Sequence, residues 1–344
     1  MTVKVGIIGC GSIANYRHLP EYAANQDVEI VAVCDVVKKR AEAANAIYGG
    51  KIFTDYKELL ALDEVEAVSV CTPNYLHAPI SVAALKAGKH VLCEKPMATS
   101  LAEAEEMIEA AEKSGKTLMI AHNQRFVPAH QKAREIIANG ELGKVYSFRT
   151  AFGHPGPEGW SVDGANSWFF KKEEAFIGAM GDLGVHKTDL IRYILGEEIA
   201  EVGAFVETSA KDFASVDDTA VCVLKTESGI IGTLAASWSY TAKEDNSTII
   251  YGEKGILRLE DDPNYSLVAQ YTDGSIVRYE LGGIQTNDNQ SNSHVVDHFI
   301  KAVESGSTPL ITGEEGKRSL AVIMAALESN EKKTIEKVKT GVHA

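Results

Sequence analysis

Val3-Lys4-Val5-Gly6-Ile7-Ile8-Gly9-Cys10-Gly11-Ser12-Ile13-Ala14 joins an almost wholly apolar run to a glycine turn and then to a helical pattern. A strand without polar alternation is buried on both faces, and such strands belong to parallel sheets. The turn has the form G-x-G-x-x-A. Gly9 makes the tight turn, Gly11 lets backbone amides approach a pyrophosphate, and Ala14 lets the helix pack closely on the strand. The helix N-terminus then faces the anion, with Ser12 and Ile13 in the same loop. Glycine turns after strands are common, so the motif takes its weight from the strand before it and the helix after it.

The same alternation continues through the first 122 residues. Glu29–Cys34, Ala67–Cys71, His90–Cys93 and Thr117–Ala121 are short Val- and Ile-rich runs. Between them lie helical patterns at Ala14–Ala24, Lys38–Tyr48, Tyr56–Leu62, Pro79–Ala87 and Leu101–Lys113. Thr99 or Ser100 is placed to cap the last, with Glu103 as capping-box partner, and Gly88 and Gly115 stand where helix C-termini need positive φ. This β-α order predicts a doubly wound α/β domain over residues 1–122.

Asp35 ends the second strand, 26 residues after Gly9, where a carboxylate accepts the ribose hydroxyls of NAD and repels a 2′-phosphate. Lys38, Lys39 and Arg40 follow; they either soften that rejection, which makes NADP the alternative cofactor, or form a solvated helix face. A plain turn residue is the blander reading of Asp35. Thr72 and Pro73 end the next buried strand and pass beside the nicotinamide ribose, with Asn74 and His77 close by. An ordinary strand-to-helix turn with Asn as its cap is the other reading.

In Val91-Leu92-Cys93-Glu94-Lys95-Pro96 an apolar strand meets an acid and a base, and proline forbids its continuation. Lys95, beside Glu94, is thereby held at a strand's carboxyl end, where ligands bind in open α/β sheets, and both are expected cofactor contacts. A second constellation is Gly181-Asp182-Leu183-Gly184-Val185-His186-Lys187-Thr188-Asp189. On a helix Asp182 and His186 share a face, as do His186 and Asp189. A histidine flanked by carboxylates is held in one tautomer and made more basic. A surface ion cluster is the structural alternative. Asp-x3-His also resembles metal-ligand spacing, but no further His, Cys or Asp set completes a shell. His294, Asp297 and His298 have no such lead-in and suit a solvated helix N-terminus.

After about Asn123 the pattern changes. Ala129–Ile137 and Gly181–Leu195 are helical, and Lys144–Phe152 alternates as a strand. Strands separated by turn signals run from Ile199 to Leu281. A polar loop follows at Gly282–Ser293, then helices at Val295–Ser305 and Glu314–Ser329. Residues 123–344 therefore form an α+β unit with a large, mostly antiparallel open sheet, whose terminal helices pack back on the first domain. All three tryptophans, Trp160, Trp168 and Trp238, lie here. Flat rings mixed with polar groups suit a sugar's C–H faces and hydroxyls, so Asn123, His154, Trp160 and Trp168 join Lys95, Asp182 and His186 as expected substrate contacts. No Arg/Lys cluster suggests a phosphate pocket in this unit, which favours a neutral sugar or polyol.

The 344 residues exceed one typical core at about 150 residues per domain. A formal charge of −14 argues against nucleic acid or an anionic membrane as partner. The N-terminus enters a strand directly and no long apolar span follows, so neither a signal peptide nor a membrane helix is expected. Five cysteines without CxxC spacing fit buried thiols in a reducing cytoplasm.

Taken together, V-G-I-I-G-C-G-S-I-A, the Asp35 strand end, C-E-K-P and G-D-L-G-V-H-K-T-D-L-I-R resemble the Gfo/Idh/MocA family, which includes glucose–fructose oxidoreductase and inositol dehydrogenases. The resemblance covers essentially the whole chain. It implies an N-terminal Rossmann domain and a C-terminal domain whose open sheet serves oligomerisation as a homodimer or homotetramer. It also implies that Lys95, Asp182 and His186 match the family's catalytic trio, and that the Lys95–Pro96 peptide is cis. Relatives often show G-G-G before the acid, whereas this chain has Gly178-Ala179-Met180-Gly181. The expected activity is NAD(P)-dependent hydride transfer at a secondary alcohol or ketone of a sugar or cyclic polyol. The rivals are an NADPH-dependent keto-sugar reductase, a non-catalytic dinucleotide sensor and an NAD-dependent glycosidase.

Overall fold

In the computed structural model, which describes residues 2–282 and 292–340, the apolar runs of the N-terminal third lie side by side. They are β1 (Val3–Ile8), β2 (Val28–Cys34), β3 (Lys51–Phe53), β4 (Ala67–Val70), β5 (His90–Cys93) and β6 (Leu118–Ile120). All pair in parallel, in the order β3-β2-β1-β4-β5-β6. This is a doubly wound sheet whose order reverses between β1 and β4, the place where such sheets open a crevice at the strands' carboxyl ends. Strand β3 escapes a hydrophobic pattern because two of its three residues are exposed.

The capping box forms as its sequence requires. Ser100 Oγ accepts from Glu103 N–H at 3.2 Å, and Glu103 reaches back to Thr99 N–H at 2.9 Å. The first helix departs from regularity. Ala14–His18 is a π turn, and Leu19–Ala24 continues as α-helix. Leu19 N–H reaches back five residues to Ala14 O, immediately before Pro20, which has no N–H to donate.

The second sheet runs β14-β13-β12-β11-β7-β10-β9-β8-β15. Its strands are β7 (Val145–Gly153), β8 (Ile199–Glu207), β9 (Thr219–Thr226), β10 (Ile231–Ser237), β11 (Thr248–Gly252), β12 (Gly255–Leu259), β13 (Leu267–Tyr271), β14 (Ile276–Tyr279) and β15 (Glu336–Lys337). Among the described strands β7 and β10 pair in parallel, and the other pairs are antiparallel. Alternation along β9 buries Ala220, Cys222 and Leu224 and exposes Val221 and Val223. The expected polar loop Gly282–Ser293 falls mostly on 283–291, outside the described residues.

The chain's end returns to its beginning. Val295, Phe299 and Ile300 of the Val295–Ser305 helix join the core of the first sheet. In the Gly313–Lys332 helix, Leu320 belongs to that core, while Val322, Ile323 and Ala326 belong to the second. One helix thus fixes the two sheets across the crevice between them. Among the described residues no helix is long and apolar enough to cross a membrane.

Candidate active site

A cleft of about 1190 Å³ begins at the carboxyl ends of the first sheet and extends to the loops of the second. Gly9, Gly11, Ser12, Ile13, Asp35, Thr72, Pro73 and Lys95 line it from one side, and His154, Trp160, Trp168, Asp182 and His186 from the other. Gly9 has φ +92°, and a Cβ there would stand 2.5 Å from Cys71 O, so only glycine keeps the loop this close to β4. Above Gly11 there is open space. Asp35 fastens the strand end to the loop by accepting from Cys10 N–H at 2.9 Å and Val37 N–H at 2.8 Å. The Thr72 hydroxyl is buried without a protein partner. Open space above a glycine, a carboxylate at the end of the second strand and an unanswered hydroxyl at the end of β4 suit a bound dinucleotide.

Three expected cofactor contacts line the cleft with their polar atoms turned to the protein. Asn74 donates to Ala175 O at 2.9 Å. The His77 ring lies 2.7 Å from Pro96 O and 2.8 Å from Thr72 O. Burial outweighs the pull of those carbonyls and lowers its pKa, so the neutral ring ties the two cleft loops by donating to one of them at a time. Glu94 accepts from His18 at 2.9 Å, with Arg17 3.7 Å away. Burial alone would raise this carboxyl, but His18, Arg17 and Lys95 hold it at about 2. His77 and Glu94 support the loop that presents Lys95, whose peptide bond to Pro96 is cis.

Lys95 crosses to the second unit. Its ammonium donates to Asp182 Oδ1 at 2.8 Å and to Asp182 O at 3.0 Å. The other carboxylate oxygen accepts from the Trp238 indole N–H at 3.1 Å, and Trp238 is only 1% exposed. Asp182 is therefore gripped from both sides, and neither grip is histidine. This corrects the expectation that carboxylates flank His186. Met180–Gly184 is a π turn ahead of the Val185–Leu195 helix, so four residues no longer bring two side chains over one another. Asp189 is likewise taken: its two oxygens accept from Arg125 at 2.8 and 2.7 Å, and one also from Ser319 at 3.0 Å. Against burial, His122 and Arg125 hold its pKa at about 2.

His186 is buried, and neither ring nitrogen has a hydrogen-bond partner in the protein. Burial, and then the charge of Lys95, push its pKa well below the usual imidazole range. The ring is neutral at physiological pH and retains a lone pair to accept a proton.

Sequence reasoning missed two supports. Asp217 accepts from Gly178 N–H at 2.7 Å and Met180 N–H at 2.8 Å, fixing the entry to the π turn. A Cβ on Gly178 would meet Asp217 O at 1.8 Å, which explains the glycine there. Trp238 reads equally well as ordinary core, and its N–H gives no signal in the sequence. Asn123 is buried in the Asn123–Phe126 turn and is not among the residues lining the cleft, contrary to expectation. The indole of Trp168 stacks on Phe169 with centroids 3.9 Å apart, and Trp160 meets Phe169 edge-on at 5.1 Å. Together they form an aromatic wall.

Residues 3–122 match the model of the oxidoreductase family with an NAD-binding Rossmann fold, and residues 130–258 match the GFO/IDH/MocA C-terminal domain. The chain is 30% identical to myo-inositol 2-dehydrogenase of Thermotoga maritima, covering 98% of this chain and 99% of that one. It is 29% identical to 1,5-anhydro-D-fructose reductase of Ensifer adhaerens over 98% and 99% of the two chains. Among solved structures, the aldose-aldose oxidoreductase of Caulobacter crescentus, complexed with glycerol, superposes with a TM-score of 0.85 at 26% identity. That match covers 98% of this chain and 100% of that one.

Proposed function

Because the chain belongs to the Gfo/Idh/MocA family of NAD-binding oxidoreductases, we propose that it oxidises a secondary alcohol of a sugar or cyclic polyol, or reduces the corresponding ketone. The supporting observation is that a neutral, unpartnered imidazole, His186, and a carboxylate-held ammonium, Lys95, line the same cleft as the Gly9–Ala14 loop. NAD, when bound, supplies the hydride acceptor. His186 accepts the hydroxyl proton, and Lys95 donates a hydrogen bond to the oxygen as negative charge develops on it. Asp182 balances the ammonium, and Trp238 fixes Asp182. The aromatic wall and His154 supply C–H and hydroxyl contacts for the rest of the ring.

The relatives named for inositol and for anhydrofructose favour a neutral polyol or sugar. Five buried thiols, none in a disulfide, suit a reducing cytoplasm. Phe205, Val221, Val223 and Ile231 are 49–70% exposed on the second sheet, an apolar face that supports self-association as a dimer or tetramer.

The test is a steady-state assay at the NADH absorbance band with a panel of inositols, aldoses and anhydrosugars. For any substrate turned over, Lys95→Met and His186→Ala should each lower kcat by about 10²–10⁴. Wild-type kcat in both variants would remove these residues from the chemistry.

A further inference from the structure

Asp35 alone gives a weak account of cofactor choice, because three cations follow it in Lys38-Lys39-Arg40. The structure separates them. Lys38 is exposed and 3.3 Å from Glu42 on its own helix, and of the three only Arg40 lines the cleft. An arginine in that place would ordinarily welcome a 2′-phosphate, because guanidinium binds phosphate through two parallel hydrogen bonds. Here its Nη2 donates to Asp163 Oδ1 at 2.5 Å.

Asp163 comes from the other unit, in the segment between Trp160 and the Gly164–Asn166 turn, and its position is fixed. Ser12 in the glycine loop donates to Trp160 O at 3.2 Å and accepts from Val162 N–H at 3.1 Å. Asn166 N–H donates to Asp163 O at 3.1 Å. The segment is thus pinned across the dinucleotide loop with its carboxylate opposite Arg40. Asp35, Arg40 and Asp163 all line the cleft.

We infer that Asp163 is a specificity-determining residue: by occupying Arg40 it removes the cation that would accept a 2′-phosphate, and so makes the site selective for NAD over NADP. The inference rests on the dinucleotide-dependent reading above and extends it to a residue outside the glycine loop and the strand end. A phosphate entering here meets the carboxylates of Asp35 and Asp163, and the Arg40 guanidinium is already paired.

Equilibrium binding of NADH and NADPH, followed by nucleotide fluorescence without any sugar, tests this. Wild type should bind NADH more tightly. Asp163→Ala and Asp163→Asn should tighten NADPH relative to NADH by about tenfold, the worth of one charge-assisted hydrogen bond. Adding Arg40→Ala to Asp163→Ala should abolish the gain. An NADPH-to-NADH ratio that moves less than about twofold in both single variants, or a gain that survives loss of Arg40, would overturn the assignment. A wild type that prefers NADPH would do so too. Binding of neither dinucleotide by wild type would sink the functional reading itself, whereas binding with an unmoved ratio sinks only the role of Asp163.

Discussion

Asp182→Asn should be more damaging than its size suggests, and Trp238→Phe should partly repair it. The carboxylate presents one oxygen to the Lys95 ammonium at 2.8 Å and the other to the Trp238 N–H at 3.1 Å. Both neighbours are donors only. An amide offers one oxygen and one NH2 group. If its oxygen faces Lys95, the NH2 meets the indole N–H; if it is flipped, the NH2 meets an ammonium. Loss of the buried ion pair costs about 3 kcal/mol or more, and two opposed donors add about 1–3 kcal/mol. Trp238→Phe alone removes a hydrogen bond to a charged acceptor, about 1.5–3 kcal/mol, besides some packing. In the double variant the indole N–H is gone, so the introduced amide can turn its oxygen to Lys95 without a clash. Urea denaturation of all four proteins at pH 7 should therefore show the double variant more stable than additivity by about 2.5 kcal/mol or more, since the opposed donors are relieved and the indole hydrogen bond is not lost a second time. Additivity within about 0.5 kcal/mol would refute the claim that the indole N–H is what the second oxygen of Asp182 answers.

Three further outcomes follow from the same geometry. In the proposed reaction His186 acts as a neutral ring, and its pKa lies below the usual 6.5, so kcat/KM should not fall on its account between pH 8 and about 6.5; an acid limb centred at or above 6.5 in the pH profile would contradict this. His122 is pushed down to about 4, first by burial and then by the charges of Arg125, Arg192 and Lys95 against the pull of Asp189. The unfolded chain takes up a proton near pH 6.5 that the native ring refuses until about 4. Stability present above 6.5 is therefore lost on acidification, by about 3 kcal/mol at pH 4 from this group alone, and His122→Asn should flatten that part of a urea-midpoint series against pH. Gly9→Ala, with its Cβ 2.5 Å from Cys71 O at φ +92°, should lose at least about 2 kcal/mol of stability together with dinucleotide binding; wild-type NADH affinity in a titration would show that the loop tolerates the shift.

What was legible in the sequence follows from the range of the forces involved. Strands β1 and β5 match their apolar runs residue for residue, because burial on both faces is written locally in Val, Ile and Leu. Ser100 and Glu103 announced a helix start because a cap is satisfied within four residues. Strand β3 was invisible because its pairing with β2, not its own composition, makes it a strand. The π turn at Met180–Gly184 was invisible for a similar reason. Its entry is set by Asp217, 37 residues away from Met180, and a helical spacing rule assumes a regular helix throughout.

The same difference in range explains why the acid and the base were found as residues of one cleft and their partners were not. Asp182-x3-His186 marks an acid and a base that end up in one cleft, but helix periodicity paired them with each other. In the folded chain every strong local partner of His186 is claimed from a distance: Asp182 by Lys95 and Trp238, Asp189 by Arg125 and Ser319. These contests are decided by charge and by donor count. A buried carboxylate goes to the ammonium or guanidinium that most lowers its desolvation penalty, and a neutral imidazole, which loses least by being left alone, remains unbonded. The outcome keeps the ring in its unprotonated form across neutral pH, although it is thereby a weaker base than the expected carboxylate clamp would make it. A carboxylate against His186 would stabilise the imidazolium and raise its pKa. The cation of Lys95 and the dry surroundings instead keep the ring neutral, with a nitrogen available for a substrate hydroxyl.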